Sequence, residues 1–87
     1  MSTKYLSGQL DLVQTRQDLV RFIELLRQDW HNNPQDWEND DLDSYLEAMQ
    51  GWVQDMRGYY KNAGLPFTEE QSWHTMAMIL YSAIYYE

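Results

Sequence analysis

The chain has 87 residues, a formal net charge of −8 and no cysteine, while 44% of its residues are hydrophobic and 15% are aromatic. These values predict a single folded domain over residues 1–87, since disordered chains are poor in aromatic residues, and they exclude disulfides, thiolate catalysis and cysteine-bound zinc. They also argue against nucleic acids and anionic lipids as partners, because phosphates repel an acidic protein.

The N-terminal segment, residues 5–13, is ambiguous. Gly8 disfavours a long helix there, although four apolar residues are available to contact a core: Leu6, Leu10, Leu12 and Val13. We predict a short N-terminal arm or an extra helical turn that docks on the rest of the domain.

The first clear helical pattern covers residues 15–32. Thr15, with Asp18 three residues later, forms a variant of the capping box in which Asp replaces the usual Glu or Gln. The helix should end before Asn33-Pro34, because the residue that precedes a proline avoids the helical conformation. The apolar residues recur at the spacing of one helix face: Leu19, Phe22, Ile23, Leu26 and Trp30.

The second helix is predicted over residues 40–62, with its start at Asn39 or Asp40. Gly64 should follow its C-terminus and Pro66 should prevent continuation. The apolar residues form one wide stripe, which we expect to be core: Leu42, Tyr45, Leu46, Met49, Trp52, Val53, Met56, Tyr59 and Tyr60.

The third helix is predicted over residues 69–86, after a capping box at Thr68-Glu69-Glu70-Gln71. Its expected core face consists of Trp73, Met76, Ala77, Leu80 and Ile84. No charged residue lies between Gln71 and Tyr86, and apolar side chains extend to both sides of that face: Met78, Ile79 and Tyr85. The helix is therefore either central, wrapped by the N-terminal arm, or a homodimer interface, and we favour the central position.

These elements predict an all-α fold, a three-helix bundle with a short N-terminal arm or extra helical turn. Connections of about 6 to 10 residues suit neighbouring antiparallel helices. The longest apolar run is far shorter than the roughly 18 residues that span a membrane, and the N-terminus lacks the pattern of a signal peptide. Small domains without disulfides are typical of reducing compartments, so we expect a cytoplasmic protein.

A recurring set of residues gives the chain a family resemblance. The set comprises Trp37-Glu38-Asn39, Leu42, Tyr45-Leu46-Glu47-Ala48-Met49, Trp52, Asp55-Met56, Gly58-Tyr59-Tyr60, Asn62, Trp73 and Tyr86-Glu87. Over residues 10–87 the chain resembles a family of small, acidic, uncharacterised bacterial proteins. That family is a domain of unknown function, and the location of some members near toxin genes implies that they are immunity proteins. The resemblance implies no catalytic residues.

No arrangement of residues predicts catalysis. His31, in a polar loop, and His74, on the third helix, lack the spacing of a metal-binding pair, and there is no phosphate loop or nucleophile motif. Residues 40–43 resemble the start of a calcium loop, but the sixth position is not glycine and Gly51 occupies the twelfth, where glutamate is required. We expect no catalytic residue, no metal site and no cofactor.

A strip of small residues follows the second helix at helical spacing: Ser44, Ala48, Gly51, Asp55 and Gly58. Each glycine inside a helix costs about 1 kcal/mol relative to alanine. We expect either that another helix packs closely on this strip or that the strip forms a shallow groove. Such a groove would receive a partner segment, with Trp52 and Tyr59 as its walls. The alternative function is a small-ligand binder or enzyme that uses a pocket near Trp52, Asp55 and Tyr59.

The negative charge is concentrated in one segment, since residues 29–55 contain eight acids and no Lys or Arg. The helix dipole favours acids at the start of the second helix. It does not explain Asp36 and Glu38, which flank Trp37 in the preceding loop. A solvated, solubilising face is one interpretation of this segment.

The alternative interpretation is a negative patch around a tryptophan, since ring faces and carboxylates both attract a cation. Its residues are Asp36, Trp37, Glu38, Asp40, Asp41, Asp43 and Glu47. The sequence does not define a biochemical function. The leading hypothesis is a protein-interaction domain, such as an inhibitor or immunity protein, that binds a basic protein partner through this patch.

Overall fold

The computed structural model describes residues 3–67 and 72–85, and within those ranges the chain is helical and contains no strand. Its helices are α1 (Thr3–Leu10), α2 (Arg16–Asn32), α3 (Leu42–Ala63) and α4 (Trp73–Tyr85), with a 3-10 turn at Pro34–Asp36. The predicted all-α class is confirmed, and the ambiguous N-terminal segment is a short helix. Closure of the helices into a three-helix bundle stays a prediction.

The chain divides into two compact units, Met1–Val53 and Gln54–Glu87. In the first unit α1 packs against α2, and the C-terminal end of α2 contacts the 3-10 turn. The buried side chains of this unit, among those described, are Leu6, Leu25 and Asp29. The core of the first unit is therefore small and includes a carboxylate.

The start of α2 confirms the predicted capping box. Thr15 is extended, with φ −127° and ψ 170°, and its hydroxyl accepts a hydrogen bond from the Asp18 backbone N–H at 3.1 Å. In return the Thr15 backbone N–H donates to the Asp18 carboxylate at 3.2 Å. Asp is thus long enough to complete this cap in place of Glu, because both hydrogen bonds form.

The buried face of α2 differs from the predicted face. Leu25 is 7% exposed and Asp29 is 3% exposed, whereas Ile23 and Trp30, which we expected in the core, are exposed. The difference arises because α1 and the residues after α2 contact this helix, and they cover the side that contains Leu25 and Asp29. Helical periodicity locates an apolar stripe, but it does not determine which edge of that stripe is buried by neighbouring elements.

The C-terminal end of α3 confirms the stop signal at Gly64. Gly64 has a positive φ of 71°, and its N–H donates to the Lys61 carbonyl at 3.2 Å while the Leu65 N–H donates to the Tyr60 carbonyl at 2.9 Å. This pair of hydrogen bonds is a Schellman motif, which satisfies carbonyls that the helix leaves without partners.

The apolar stripe of α3 is not the closed core that we predicted. None of the residues of this helix is buried; Met49, Met56 and Tyr60 are half-buried, and Leu42 is 73% exposed. In the second unit Phe67 folds back toward the helix, with its ring 5.4 Å from Tyr60 in an edge-to-face arrangement. The N-terminal part of the stripe borders a groove instead.

Helix α4 begins at Trp73, later than predicted, and the proposed capping box at residues 68–71 lies outside the described residues. Every side chain from Trp73 to Tyr85 is exposed, including Met78, Ile79 and Tyr85. The central position of this helix, wrapped by the N-terminal arm, stays a prediction. No helix within residues 3–67 and 72–85 has the length and apolar character needed to cross a membrane.

Candidate functional site

A buried carboxylate at the end of α2 fixes the position of Trp37. The Trp37 indole Nε1–H donates to Asp29 Oδ2 at 2.7 Å, and the Asn33 side-chain amide donates to Asp29 Oδ1 at 3.2 Å. A buried carboxylate is tolerated when its oxygens accept hydrogen bonds. The two donors therefore hold Asp29 inside the fold, and Asp29 orients the Trp37 ring.

The same tryptophan contacts α3. The rings of Trp37 and Tyr45 stack with centroids 6.1 Å apart and an interplanar angle of 29°. Because Trp37 follows the 3-10 turn and Tyr45 lies in the first turn of α3, this contact joins the loop to the helix. Trp37 thus has its ring edge bonded to α2 and its ring face against α3.

Beside this stacked pair lies an open groove of about 630 Å³. Its lining residues come from α1, α2, the loop before α3, and the first half of α3: Leu6, Leu26, Asp36, Trp37, Glu38, Asn39, Tyr45, Ala48, Met49 and Trp52. We call this set the Trp37 groove. Its apolar surface comes mainly from the helices, whereas its carboxylates, on Asp36 and Glu38, come from the loop. No Lys or Arg lines it among the side chains that the structure describes.

A smaller cleft of about 370 Å³ adjoins the groove and shares three residues with it: Trp37, Asn39 and Tyr45. Asp40 and Asp41 line this cleft, and the Trp30 indole N–H donates to the Asp40 carbonyl at 3.3 Å. Trp37 and Tyr45 therefore line both recesses, and two acidic residues line each of them.

The structure thus brings together most of the predicted patch. Trp37 lies at its centre, Asp36 and Glu38 line the groove, and Asp40 and Asp41 line the cleft. The remaining two acids, Asp43 and Glu47, are exposed on α3 and line neither recess.

One of these acids also has a structural role. Asp41 precedes α3 and accepts hydrogen bonds from the Ser44 backbone N–H at 2.8 Å and from the Ser44 hydroxyl at 3.0 Å. These bonds, the backbone one first, lower the pKa of the Asp41 carboxyl below its ordinary value, because they stabilise the charged form. Asp41 is therefore the N-cap of α3, and its substitution would alter the helix as well as the patch.

The alternative pocket is only partly assembled. Trp52 lines the Trp37 groove, but Asp55 and Tyr59 do not, and both are exposed. The Tyr59 ring instead lies edge-on to Tyr60, with centroids 5.6 Å apart.

Of the small-residue strip, Ala48 lines the groove. A Cβ added at Gly51 or at Gly58 would meet no atom of the described residues within 4 Å. The expected close packing of another helix on this strip is therefore not present in the described part of the chain.

The titratable groups of the described ranges are not arranged as a metal site, since no cluster of three or more His, Asp or Glu side chains there could hold an ion. His31 lies edge-on to the Trp30 ring, with centroids 5.6 Å apart. His74 is exposed on α4.

Sequence reasoning assigned no role to Asp29, which is the residue that orients Trp37. The sequence nevertheless contains an indication that Asp29 has a specific role. Asp29 lies in the last turn of α2, where the helix dipole disfavours an acid. An acid at this position indicates a specific hydrogen-bond donor nearby, although the sequence does not show that Trp37 is the donor.

Comparison with known proteins assigns the chain to a family. The sequence profile of a family of unknown function, DUF7660, matches residues 15–87. The chain belongs to this family. The match begins at the Thr15 cap and includes every residue of the predicted patch, whereas α1, whose Leu6 lines the groove, precedes it. No curated protein and no solved structure matches the chain.

Proposed function

We propose that this family member is a protein-interaction domain that binds a basic, amphipathic segment of a partner protein in the Trp37 groove. The supporting observation is that Trp37, Tyr45 and Trp52 line one groove together with the acidic residues Asp36 and Glu38. None of the described side chains that line it belongs to Lys or Arg. Apolar side chains of the partner would contact the helices, and a Lys or Arg would lie between a ring face and the loop carboxylates.

The chemistry of the groove favours this class of ligand over others. A cation against an aromatic face contributes about 0.5–2 kcal/mol, depending on how far it is desolvated, and apolar contact adds about 25 cal/mol for each Å² removed from water. Acidic or phosphate-bearing ligands would be repelled by the same carboxylates. An inhibitor or immunity protein in the bacterial cytoplasm, which covers a basic surface of a toxin, is the form of this function that we favour.

A binding titration with defined peptides tests the proposal. The probe is a fluorescent amphipathic peptide of leucine and lysine, and the control is the same peptide with glutamate in place of each lysine. We expect the lysine peptide to bind, with an affinity that falls as salt is added, and the glutamate peptide not to bind. Equal binding of the two peptides would show that the groove does not select a cation.

A charge reversal locates the binding to the groove. Glu38→Lys should weaken binding of the lysine peptide roughly tenfold, which corresponds to about 1.4 kcal/mol. The matched control is Asp11→Lys, which makes the same charge change at an exposed position outside the groove and should have little effect. If the two variants weaken binding equally, only net charge matters and the site assignment is wrong.

A small organic cation is the second candidate ligand, because the groove volume of about 630 Å³ falls within the roughly 300–1,000 Å³ of small-molecule sites. A small cation in this groove would contact Trp52, which belongs to the alternative pocket predicted from the sequence, but not Asp55 or Tyr59. Competition with lysine amide separates the two candidates. Displacement of the peptide by micromolar lysine amide would favour the small ligand, and displacement only at much higher concentration would favour the protein segment.

A further inference from the structure

The smaller cleft beside the Trp37 groove has a side that the groove lacks. Trp30 lines the cleft and not the groove, and its indole N–H donates to the Asp40 backbone carbonyl at 3.3 Å. This bond joins the last turn of α2 to the loop before α3, and it leaves the Asp40 carboxylate uninvolved. The residues that line the cleft all belong to the first compact unit: Trp30, Trp37, Asn39, Asp40, Asp41, Leu42 and Tyr45.

The cleft combines aromatic rings with acidic residues. Three aromatic residues line it, and two of their rings, those of Trp37 and Tyr45, are stacked with an interplanar angle of 29°. Asp40 and Asp41 line it as well, and the hydrogen bonds from Ser44 that lower the pKa of the Asp41 carboxyl keep that group charged. No Lys or Arg is among the described side chains of the lining. The cleft is therefore complementary to a cation.

The guanidinium of arginine matches this lining better than other organic cations do. It is planar and stacks on aromatic faces, and its five N–H donors suit carboxylates. An ammonium is a compact, strongly hydrated charge that does not stack, and a quaternary ammonium has no N–H to donate. The cleft volume of about 370 Å³ is near the lower end of the roughly 300–1,000 Å³ of small-molecule sites, which suits a single side chain.

We propose that this cleft is a second subsite of the partner-binding surface and receives the guanidinium of an arginine on the partner protein. The guanidinium stacks on an aromatic ring and donates hydrogen bonds to Asp40 and Asp41. The assignment of the arginine to a partner protein rests on the proposed function, because the cleft adjoins the groove and shares Trp37, Asn39 and Tyr45 with it. The preference of the cleft for a guanidinium does not rest on that function.

Cations of the chain itself are the competing occupants. In the first unit Arg21 forms an ion pair with Glu24, and in the second unit Arg57 lies over the ring of Phe67, 5.7 Å from its centroid. Both guanidinium groups therefore have contacts within their own units. A cation of the chain that filled the cleft would keep an added guanidinium out, so a wild-type chain that does not bind one would overturn the proposal.

A titration of the full chain with arginine amide, followed by the indole N–H resonances, tests the proposal. Of the two recesses, Trp30 lines only the cleft and Trp52 lines only the groove. We expect arginine amide to shift the Trp30 resonance until the site is saturated, and citrulline amide, in which a neutral urea group replaces the guanidinium, to bind at least about tenfold more weakly. Equal binding of the two amides, or a shift of Trp52 without Trp30, would overturn the proposal.

Two acid-to-amide variants locate the binding. Asp40→Asn should weaken binding of arginine amide at least about fivefold, whereas Asp43→Asn should change it less than about twofold, because Asp43 lines neither recess. Asparagine retains the backbone carbonyl that Trp30 bonds, and circular dichroism checks that the helical content is unchanged. Equal weakening by the two variants would show that only the local negative charge matters, which would overturn the subsite.

The two proposals fail in different ways. If arginine amide shifts Trp30 but the leucine–lysine peptide does not bind, the proposed function is wrong and the guanidinium preference of the cleft is supported. If the peptide binds in the groove and arginine amide leaves Trp30 unchanged, the proposed function is supported and the second subsite is overturned.

Discussion

Asp29 illustrates how one side chain determines the geometry of the candidate site. Its carboxylate is 3% exposed and accepts hydrogen bonds from Trp37 and Asn33. Removal of this carboxylate would take away the acceptor that both side chains share. It would therefore lower the stability of the fold and release the Trp37 ring from its present orientation.

Replacement of Asp29 by alanine should destabilise the chain by about 1–3 kcal/mol, because two donors lose their acceptor. The Asp29→Asn variant retains one acceptor oxygen and should lose less. Urea denaturation measures the free energy of unfolding, and peptide titration of the folded variants measures the effect on the groove. Asp11→Ala, at an exposed acid, is the control and should change neither quantity. If Asp29→Ala is as stable as this control and binds the peptide normally, the orienting role is contradicted.

At the scale of helices, the start of α2 and the end of α3 could be predicted because the interactions that form them are local, whereas α3 and α4 begin at Leu42 and Trp73, later than predicted. The Thr15 capping box and the Gly64 stop both depend on residues within five positions of each other. The side of α2 that is buried could not be predicted in this way, because it depends on where α1 and the following loop pack.

Alanine substitution at two glycines in or next to α3 should change the free energy of unfolding in opposite directions. Gly64 has a positive φ of 71°, a conformation that costs an L-residue about 1–2 kcal/mol, so Gly64→Ala should lower the free energy of unfolding by about 1 kcal/mol. Gly58 lies inside the helix with no described atom within 4 Å of an added Cβ, so Gly58→Ala should raise it by about 0.5–1 kcal/mol.

Thermal and urea denaturation of the two single variants checks this pair of predictions. Because space is available at both positions, any difference between them reflects backbone conformation alone. Destabilisation by Gly58→Ala would show that a chain or partner packs on the small-residue strip, contrary to the structure.

At the scale of the whole molecule, charge and apolar surface are separated along the chain. Residues 29–55 contain eight acids and no base, whereas α4 contains neither. This separation was visible in the sequence, and so was the position of Trp37 within the acidic segment.

The residues that line the groove could be predicted only in part. Asp36 and Glu38 could be identified because the helix dipole does not explain their charges, and Trp37 could be identified because it lies between them. Leu6, Leu26 and Met49 were not identified as lining residues, because apolar residues at helical spacing have the same pattern whether they border a groove or fill a core.

The most direct test of the proposed function is the response of the indole N–H resonances to the leucine–lysine peptide in a ¹H–¹⁵N correlation spectrum. The chain has four tryptophans; Trp37 and Trp52 line the groove, and Trp73 lies in α4. We predict that the peptide shifts the Trp37 and Trp52 resonances, leaves Trp73 unchanged, and does so less at high salt. A shift confined to Trp73, or shifts of equal size at all four rings, would contradict the assignment of binding to the Trp37 groove.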